Sequence, residues 1–336
     1  MRKRRKNLLV VEGHHEKNIL FRLMLRCFPE MDIDMESIWI YGTNIYRLEQ
    51  DIIKEYGDDW DEEDIDLPFV ISKRKQFDPI QYKNDFTNII LVFDYEHHAP
   101  EFDECVIEKF QRYFTDAADV GRLYINYPMI ESYQHLHIPL PDGQYKDRLV
   151  SVKINPGKEY KKIVKDFDIS KRVKFLTKID DILKKKYEVQ DEYLRFQCVN
   201  HLLSISTSDH LTEKIEQILK GCLAEDCIQT ARHLLCDKIL RMGYLENGYS
   251  YWSYMRKLFV QIILQNICKA NKIQNGTYDI SDGQYKTCFD KLDLCRILHK
   301  QNEVGRDREN GYIWILNTCV FIIPDYHFDL VLRNLE

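Results

Sequence analysis

Two short apolar runs, each ending abruptly in acid, constrain this chain more than any other feature. The first is Leu8-Leu-Val-Val11, followed by Glu12 and Gly13; the second is Ile89-Ile-Leu-Val-Phe93, followed by Asp94-Tyr95-Glu96. Brief, β-branched apolar runs of this kind match strands buried on both faces, as in a parallel sheet. In open α/β sheets, ligands gather outside the carboxyl ends of the strands. Two strands delivering carboxylates to one edge therefore predict a metal site there.

The segments around these runs predict a β-α-β-α-(insert)-β-α-β-α order, hence a parallel sheet with right-handed crossovers. Residues 15–27 read as a helix, with Ile19, Leu20, Leu23, Met24 and Cys27 on one face and Pro29 ending it. Residues 37–41 read as a second strand closed by Gly42, and residues 44–56 as a second helix. The acidic block 57–66 reads as an exposed loop without the glycine and spacing of a calcium-binding loop. Residues 68–72 read as a strand or an insert, 103–118 as a helix, and 122–127 as a fourth strand. That strand runs into Pro128, which suits a first helical turn, and brings Glu131 towards the same edge.

Beyond the paired prolines at 139 and 141 the pattern changes. From Gly157 onward it is mostly amphipathic helix, with breaks expected near 168–170, 206–209, 243–250 and 274–284, and a late apolar run at 313–323 that fits helix or strand. The expected fold class is thus an α/β sheet domain over 1–140 followed by a mainly helical domain over 141–336. Its 336 residues allow two domains, or one with a large extension.

A net charge of −6, with 30% charged residues, excludes a generally basic nucleic-acid binder, so any such surface must be local. The best local candidate is 158–186, where ten lysines alternate with Tyr160, Phe167, Phe175 and Tyr187; it fits a phosphate-tracking surface or a solvated helix face. The basic run 2–6 fits a solvated start or a phosphate-contacting arm. No apolar stretch approaches the ~18–20 residues needed to span a bilayer, nothing resembles a signal peptide, and ten cysteines without repeated spacing suit reduced thiols. A cytoplasmic location without membrane attachment is expected.

The candidate site is Glu12, Glu16 one helical turn later, Asp94, Glu96 and Glu131. Convergent carboxylates repel, by about 4 kcal/mol for two unit charges at 4 Å and an effective dielectric of 20. They are tolerable when cations neutralise them or some stay protonated. Mg²⁺, with Mn²⁺ as a substitute, suits all-oxygen ligands and a phosphate substrate, with one or two ions held. No G-x-G-x-x-G follows the first strand and no G-x-x-x-x-G-K-[ST] occurs, which argues against dinucleotide and P-loop chemistry. His14, His15, His97 and His98 bracket the same edge and fit a general acid, a substrate contact or exposed loop residues, and Lys17 and 73–75 fit stabilisers of charge on the phosphorus or solvated cations. Cys222, Cys227, His233 and Cys236 match no standard zinc spacing and read as buried thiols. The Arg195-x₅-His201 pattern fits a loose ribonuclease motif expected by chance.

Leu9-Val-Val-Glu-Gly-x-x-Glu16 with Leu91-Val-Phe-Asp-Tyr-Glu96 resembles the TOPRIM domain shared by topoisomerases, bacterial primases and OLD-family nucleases. Residues 124–133, Tyr-Ile-Asn-Tyr-Pro-Met-Ile-Glu-Ser-Tyr, are similar to the Asn-Pro-x-x-Glu segment of the RloB-like and OLD-like anti-phage branch, which includes the TOPRIM effector of the PARIS system. The resemblance covers about residues 7–137. It implies that Glu12 is a metal ligand or general acid/base, that Asp94 and Glu96 match the Asp-x-Asp metal pair, and that Glu16 and Glu131 are additional acids. It further implies a toxic, Mg²⁺-dependent nuclease acting on DNA or tRNA and controlled by an ABC-type ATPase partner, with homo-oligomers left open. Two departures stand: Asp-x-Glu replaces Asp-x-Asp, and Tyr127 separates Asn126 from Pro128. The first keeps a non-catalytic regulatory or assembly subunit with a degenerate TOPRIM fold as the alternative. A topoisomerase or primase is the other rival, with little room left for strand-gate domains.

Overall fold

The computed structural model describes residues 6–281 and 283–333; of the basic run 2–6, only Lys6 falls inside that range. Strand β1 (Lys6–Val11) and strand β3 (Phe86–Asp94) lie side by side and parallel at the centre of a sheet ordered β2-β1-β3-β5-β4. Strand β2 (Ile38–Ile40) pairs parallel with β1, and β5 (Gly121–Asn126) pairs parallel with β3. Only β4 (Thr115–Asp116), at the edge, is antiparallel. Leu8 to Val11 and Ile89 to Phe93 are buried throughout, as unbroken apolar runs covered on both faces must be.

The connections place helices around this sheet. Residues 14–27 form one continuous helix, π-wound over Glu16–Phe21 and α-helical over Arg22–Cys27 (α1). Asn44 caps α2 (Ile45–Tyr56) by accepting from the Arg47 amide at 3.1 Å. Residues 68–72 are neither strand nor insert but part of helix α3 (Leu67–Lys75). Asp66 accepts from the Phe69 amide at 3.0 Å, and Pro68 occupies the first turn, a combination that starts a helix whatever follows it. Helix α4 (Glu104–Tyr113) is shorter than the apolar pattern predicts. After Tyr113 the backbone turns away to pair Thr115 with Arg122 in the sheet.

The remainder is helical, as expected. A π turn over Pro156–Tyr160 leads into α5 (Lys161–Lys165), α6 (Asp168–Val173) and α7 (Phe175–Asp181). Helices α8 (Glu192–Leu203), α9 (Leu211–Lys220) and α10 (Glu225–Arg241) follow. The 25-residue α11 (Tyr251–Asn275) then runs through the middle of this half, before α12 (Tyr285–Phe289) and α13 (Leu294–Gly305). The late apolar run divides: Tyr312–Trp314 is strand β7, antiparallel to β6 (Leu149–Ser151), and a 3₁₀ turn then leads into α14 (Ile322–His327) and α15 (Asp329–Leu332). Tyr127 bridges to Leu316, the Thr318 hydroxyl donates to the Ile125 carbonyl at 2.7 Å, and Asp325 pairs with Arg122 at 2.8 Å. The sheet and the helices share one continuous apolar core. Among the described residues no helix is long and apolar enough to cross a membrane.

Candidate metal centre

The strand order reverses direction at β1: the chain passes from β1 outward to β2, then back across to β3. Such a switch point opens a crevice at the carboxyl ends of the two central strands. Glu12 leaves the end of β1 and Asp94 ends β3, next to it. The Asp94 amide donates to the Glu12 carboxylate at 3.3 Å, fixing one against the other. Glu96 completes the set. Its backbone is left-handed, with φ of 48°, a conformation that non-glycine residues adopt at a cost of roughly 1–2 kcal/mol. The turn brings its longer side chain back, and one oxygen each from Glu12, Asp94 and Glu96 lie within 4.8 Å of one another. Among the described residues this is the one group of acids, histidines or cysteines able to hold a metal ion.

Glu16 and Glu131 flank this triad. Glu16 is buried and curls back to accept from the Gly13 amide at 3.0 Å. A Cβ on Gly13 would stand 3.1 Å from that carboxylate, so the glycine permits the close approach. Glu131 sits in a 3₁₀ turn, Ile130–Gln134, just beyond β5. One of its oxygens meets Lys161 Nζ at 3.1 Å and lies 3.3 Å from His15 Nε2; the other is buried with no hydrogen-bond partner. Asn126, in register with Asp94, likewise has a buried amide nitrogen without a partner.

The electrostatics follow from this crowding. Burial, then the charge of Glu96, pushes Glu12 up from its ordinary 4.5 to about 8. Burial, then Glu12, raises Asp94 well above the carboxylate range. Glu16 and Glu96 are raised as well, burial being the main cause for each. Burial works to lower Lys161, but the charge and hydrogen bond of Glu131 outweigh it and hold the ammonium above its usual value. A set of carboxylates that cannot all ionise unaided is what a multivalent cation would relieve.

The other candidates disperse. Lys17 donates to the Ile38 carbonyl, Lys73 pairs with Glu55 and Arg74 with Asp51. His14 and His98 are exposed, while His97 is buried and held neutral, down to about 4, by burial and then by Arg308. The acidic loop spends its charges locally: Asp61 pairs with Lys109, Asp64 with Lys83, and Asp66 caps α3. Cys222 meets Cys198 rather than any zinc partner, and Arg195 is held by Asp180 at 2.9 Å instead of by His201. The member that sequence reasoning missed is Lys161. It was visible only as one of ten lysines, and only the fold brings α5 against the Glu131 turn.

No family model matches the chain, and no curated protein or solved structure matches it either. The likeness to TOPRIM proteins therefore rests on the three motifs and on where their acids fall.

Proposed function

We propose that this protein is a TOPRIM-type, divalent-cation-dependent nuclease, with Mg²⁺ as the ion and a nucleic-acid phosphodiester, in DNA or tRNA, as the substrate. The observation that carries the reading is the convergence of Glu12, Asp94 and Glu96 at the switch point of a parallel sheet. The residues fit a hard cation. All three donors are carboxylate oxygens, as Mg²⁺ requires, and the orphaned oxygen of Glu131 and amide of Asn126 leave polar groups nearby for water or substrate.

Glu12, Asp94 and Glu96 would hold the ion. When bound, it would supply Lewis-acid charge to a phosphate oxygen and make a water molecule easier to deprotonate. Glu16, fixed on the Gly13 amide, adds negative charge that keeps the triad selective for a multivalent ion. Glu131 anchors Lys161 at the rim of the site, where its ammonium can balance charge building on the phosphate oxygens. A role as a toxic effector of anti-phage defence, restrained by an ABC-type ATPase, belongs to the same reading and is supported by the motif resemblance.

The test is cleavage of DNA and of total RNA, side by side, with Mg²⁺ or Mn²⁺. Glu12→Gln combined with Asp94→Asn is expected to lower cleavage at least about a hundredfold and to abolish Mn²⁺ binding by calorimetry. Undiminished cleavage sinks the assignment. A chain that binds no Mn²⁺ at all leaves the degenerate, regulatory reading standing instead.

A further inference from the structure

The helix that begins at the metal centre continues past two cavities. Helix α7 separates them. On one side of it, a groove of about 590 Å³ is floored by Ile19 and lined by Lys174, Lys178, Lys185 and Lys186. Ile19 lies three residues after Glu16 on the same helix, and Lys174 is close enough for the charge of Glu131 to act on it. Among the described residues, Lys185 alone of these lysines has a carboxylate partner, Asp181 at 2.9 Å. On the other side, a cavity of about 780 Å³ is lined by Arg22 and Arg26 from α1, Tyr193 and Phe196 from α8, and Trp252 from α11.

This second cavity is built unlike an ordinary surface depression. Tyr193 is 73% exposed, and Phe196 stands beside it, also exposed. Arg22 and Arg26 form no ion pair among the described residues; both guanidiniums lie over the Phe196 ring at 5.9 Å, and Arg26 also over Trp252 at 5.2 Å. Trp252 Nε1 is buried without a hydrogen-bond partner among the described residues. Two of the acids lining the cavity are engaged, Asp180 by Arg195 and Asp34 by Lys6 at 3.9 Å; Glu192 is the third.

A lysine groove followed by arginines and open aromatic rings is the combination that binds unpaired nucleic acid. The cations track the phosphates, and the rings stack on bases that a duplex would keep covered. We infer that the Ile19 groove and the Phe196 cavity together form a track for a single strand of nucleic acid leading to the metal centre. The inference narrows the proposed nuclease to unpaired substrates and rests on that reading for the track's purpose, but not for its existence.

The test is fluorescence anisotropy with the full chain in EDTA, so that no cleavage intervenes. The probes are a single-stranded RNA, a single-stranded DNA and a duplex of the same sequence, with AMP as competitor. Both single strands are expected to bind at least about tenfold more tightly than the duplex. Tyr193→Ala with Phe196→Ala should weaken single-strand binding by about five- to a hundredfold and leave duplex binding alone. Lys178→Glu with Lys186→Glu should weaken every probe and flatten its salt dependence. All four side chains are exposed or rim residues, and circular dichroism checks that the variants fold. Equal binding of duplex and single strand, or indifference to the aromatic pair, overturns the inference. So does AMP binding as tightly as an oligomer, which would make the cavity a free-nucleotide site. Strand binding without metal-dependent cleavage would sink the nuclease reading and leave the track intact; cleavage without selective strand binding would do the reverse.

Discussion

At the scale of single residues, the site turns on Glu12. Its carboxyl keeps a proton up to about pH 8 in the metal-free folded chain, whereas an unfolded chain releases it near the ordinary value of 4.5. Between those values the folded state binds more protons, so Glu12 erodes stability as the pH rises. Glu12→Gln removes that liability. In EDTA, the melting temperature of the variant should match the parent near about pH 5 and exceed it increasingly up to about pH 8. Saturating Mn²⁺ should then raise the parent's melting temperature and leave the variant's unchanged, as the proposed role of Glu12 as a ligand requires. A gap that narrows with rising pH would show that Glu12 is ionised and solvated instead. Glu96 answers a question the sequence could only pose. One methylene longer than the aspartate of the usual pair, it reaches the triad because the backbone beneath it turns left-handed.

At the scale of elements, what could be read in advance is what local physics decides. The buried runs of β1 and β3, the second helix from residue 44 and the break after Cys27 are all local, and the structure places them where the residues imply. Helix α3 was misread because Leu67 to Ile71 is apolar without a helical period; the decisive signal, Asp66 before Pro68, lay in front of the run rather than inside it. The premature end of α4 had no local signal, since a strand partner at Arg122 draws Thr115 out of the helix. Lys161 could not be placed at all, because its role depends on contact with residue 131. The same limit hides the strut of the helical half, α11. Its Lys269 is fully buried and donates to the carbonyls of Tyr145, Lys146 and Arg148 at 2.8, 2.9 and 2.9 Å. Gln265 holds the Asp142 amide, and Asn266 holds the Tyr145 hydroxyl and the Asn317 amide. Lys269→Met keeps the shape but removes three hydrogen bonds, leaving each carbonyl with one other donor: the Arg148 amide on Tyr145, Lys272 Nζ on Lys146 and the Ile315 amide on Arg148; it should cost about 1–2 kcal/mol in urea unfolding while leaving Mn²⁺ affinity within about twofold. A variant as stable as the parent would mean that the remaining donors satisfy those carbonyls and that the buried ammonium adds nothing.

At the scale of the whole molecule, the change of pattern near residue 140 separates sequence types, and the contacts run across it. The segment after the last strand returns to the first sheet. Leu316 exchanges backbone hydrogen bonds with Tyr127 at 2.8 and 3.1 Å, the Cys319 amide donates to Asn126 at 3.2 Å, and Tyr124 donates to Asp325 at 2.5 Å. Helix α13 reaches the other side, where the Tyr95 hydroxyl donates to Asn302 at 2.6 Å. Tyr95 and Asn126 both neighbour the acid triad, so the candidate metal centre is braced by residues some two hundred positions further along the chain. A fragment of residues 1–140 would expose Tyr124, Tyr127 and Tyr133, all essentially inaccessible in the full chain, and strip the partners from these polar groups. Each hydrogen bond exchanged for water loses about 0.5–1.5 kcal/mol and each large apolar side chain returned to water about 1.5–3 kcal/mol, against a total stability of about 5–15 kcal/mol for a typical domain. The fragment should therefore lack a cooperative urea transition and bind Mn²⁺ at least about tenfold more weakly than the full chain, whereas adding back a 141–336 fragment should restore both. A fragment that unfolds cooperatively and binds the ion with full affinity would show that the sheet and its acids are self-sufficient, and that the returning segment only covers them.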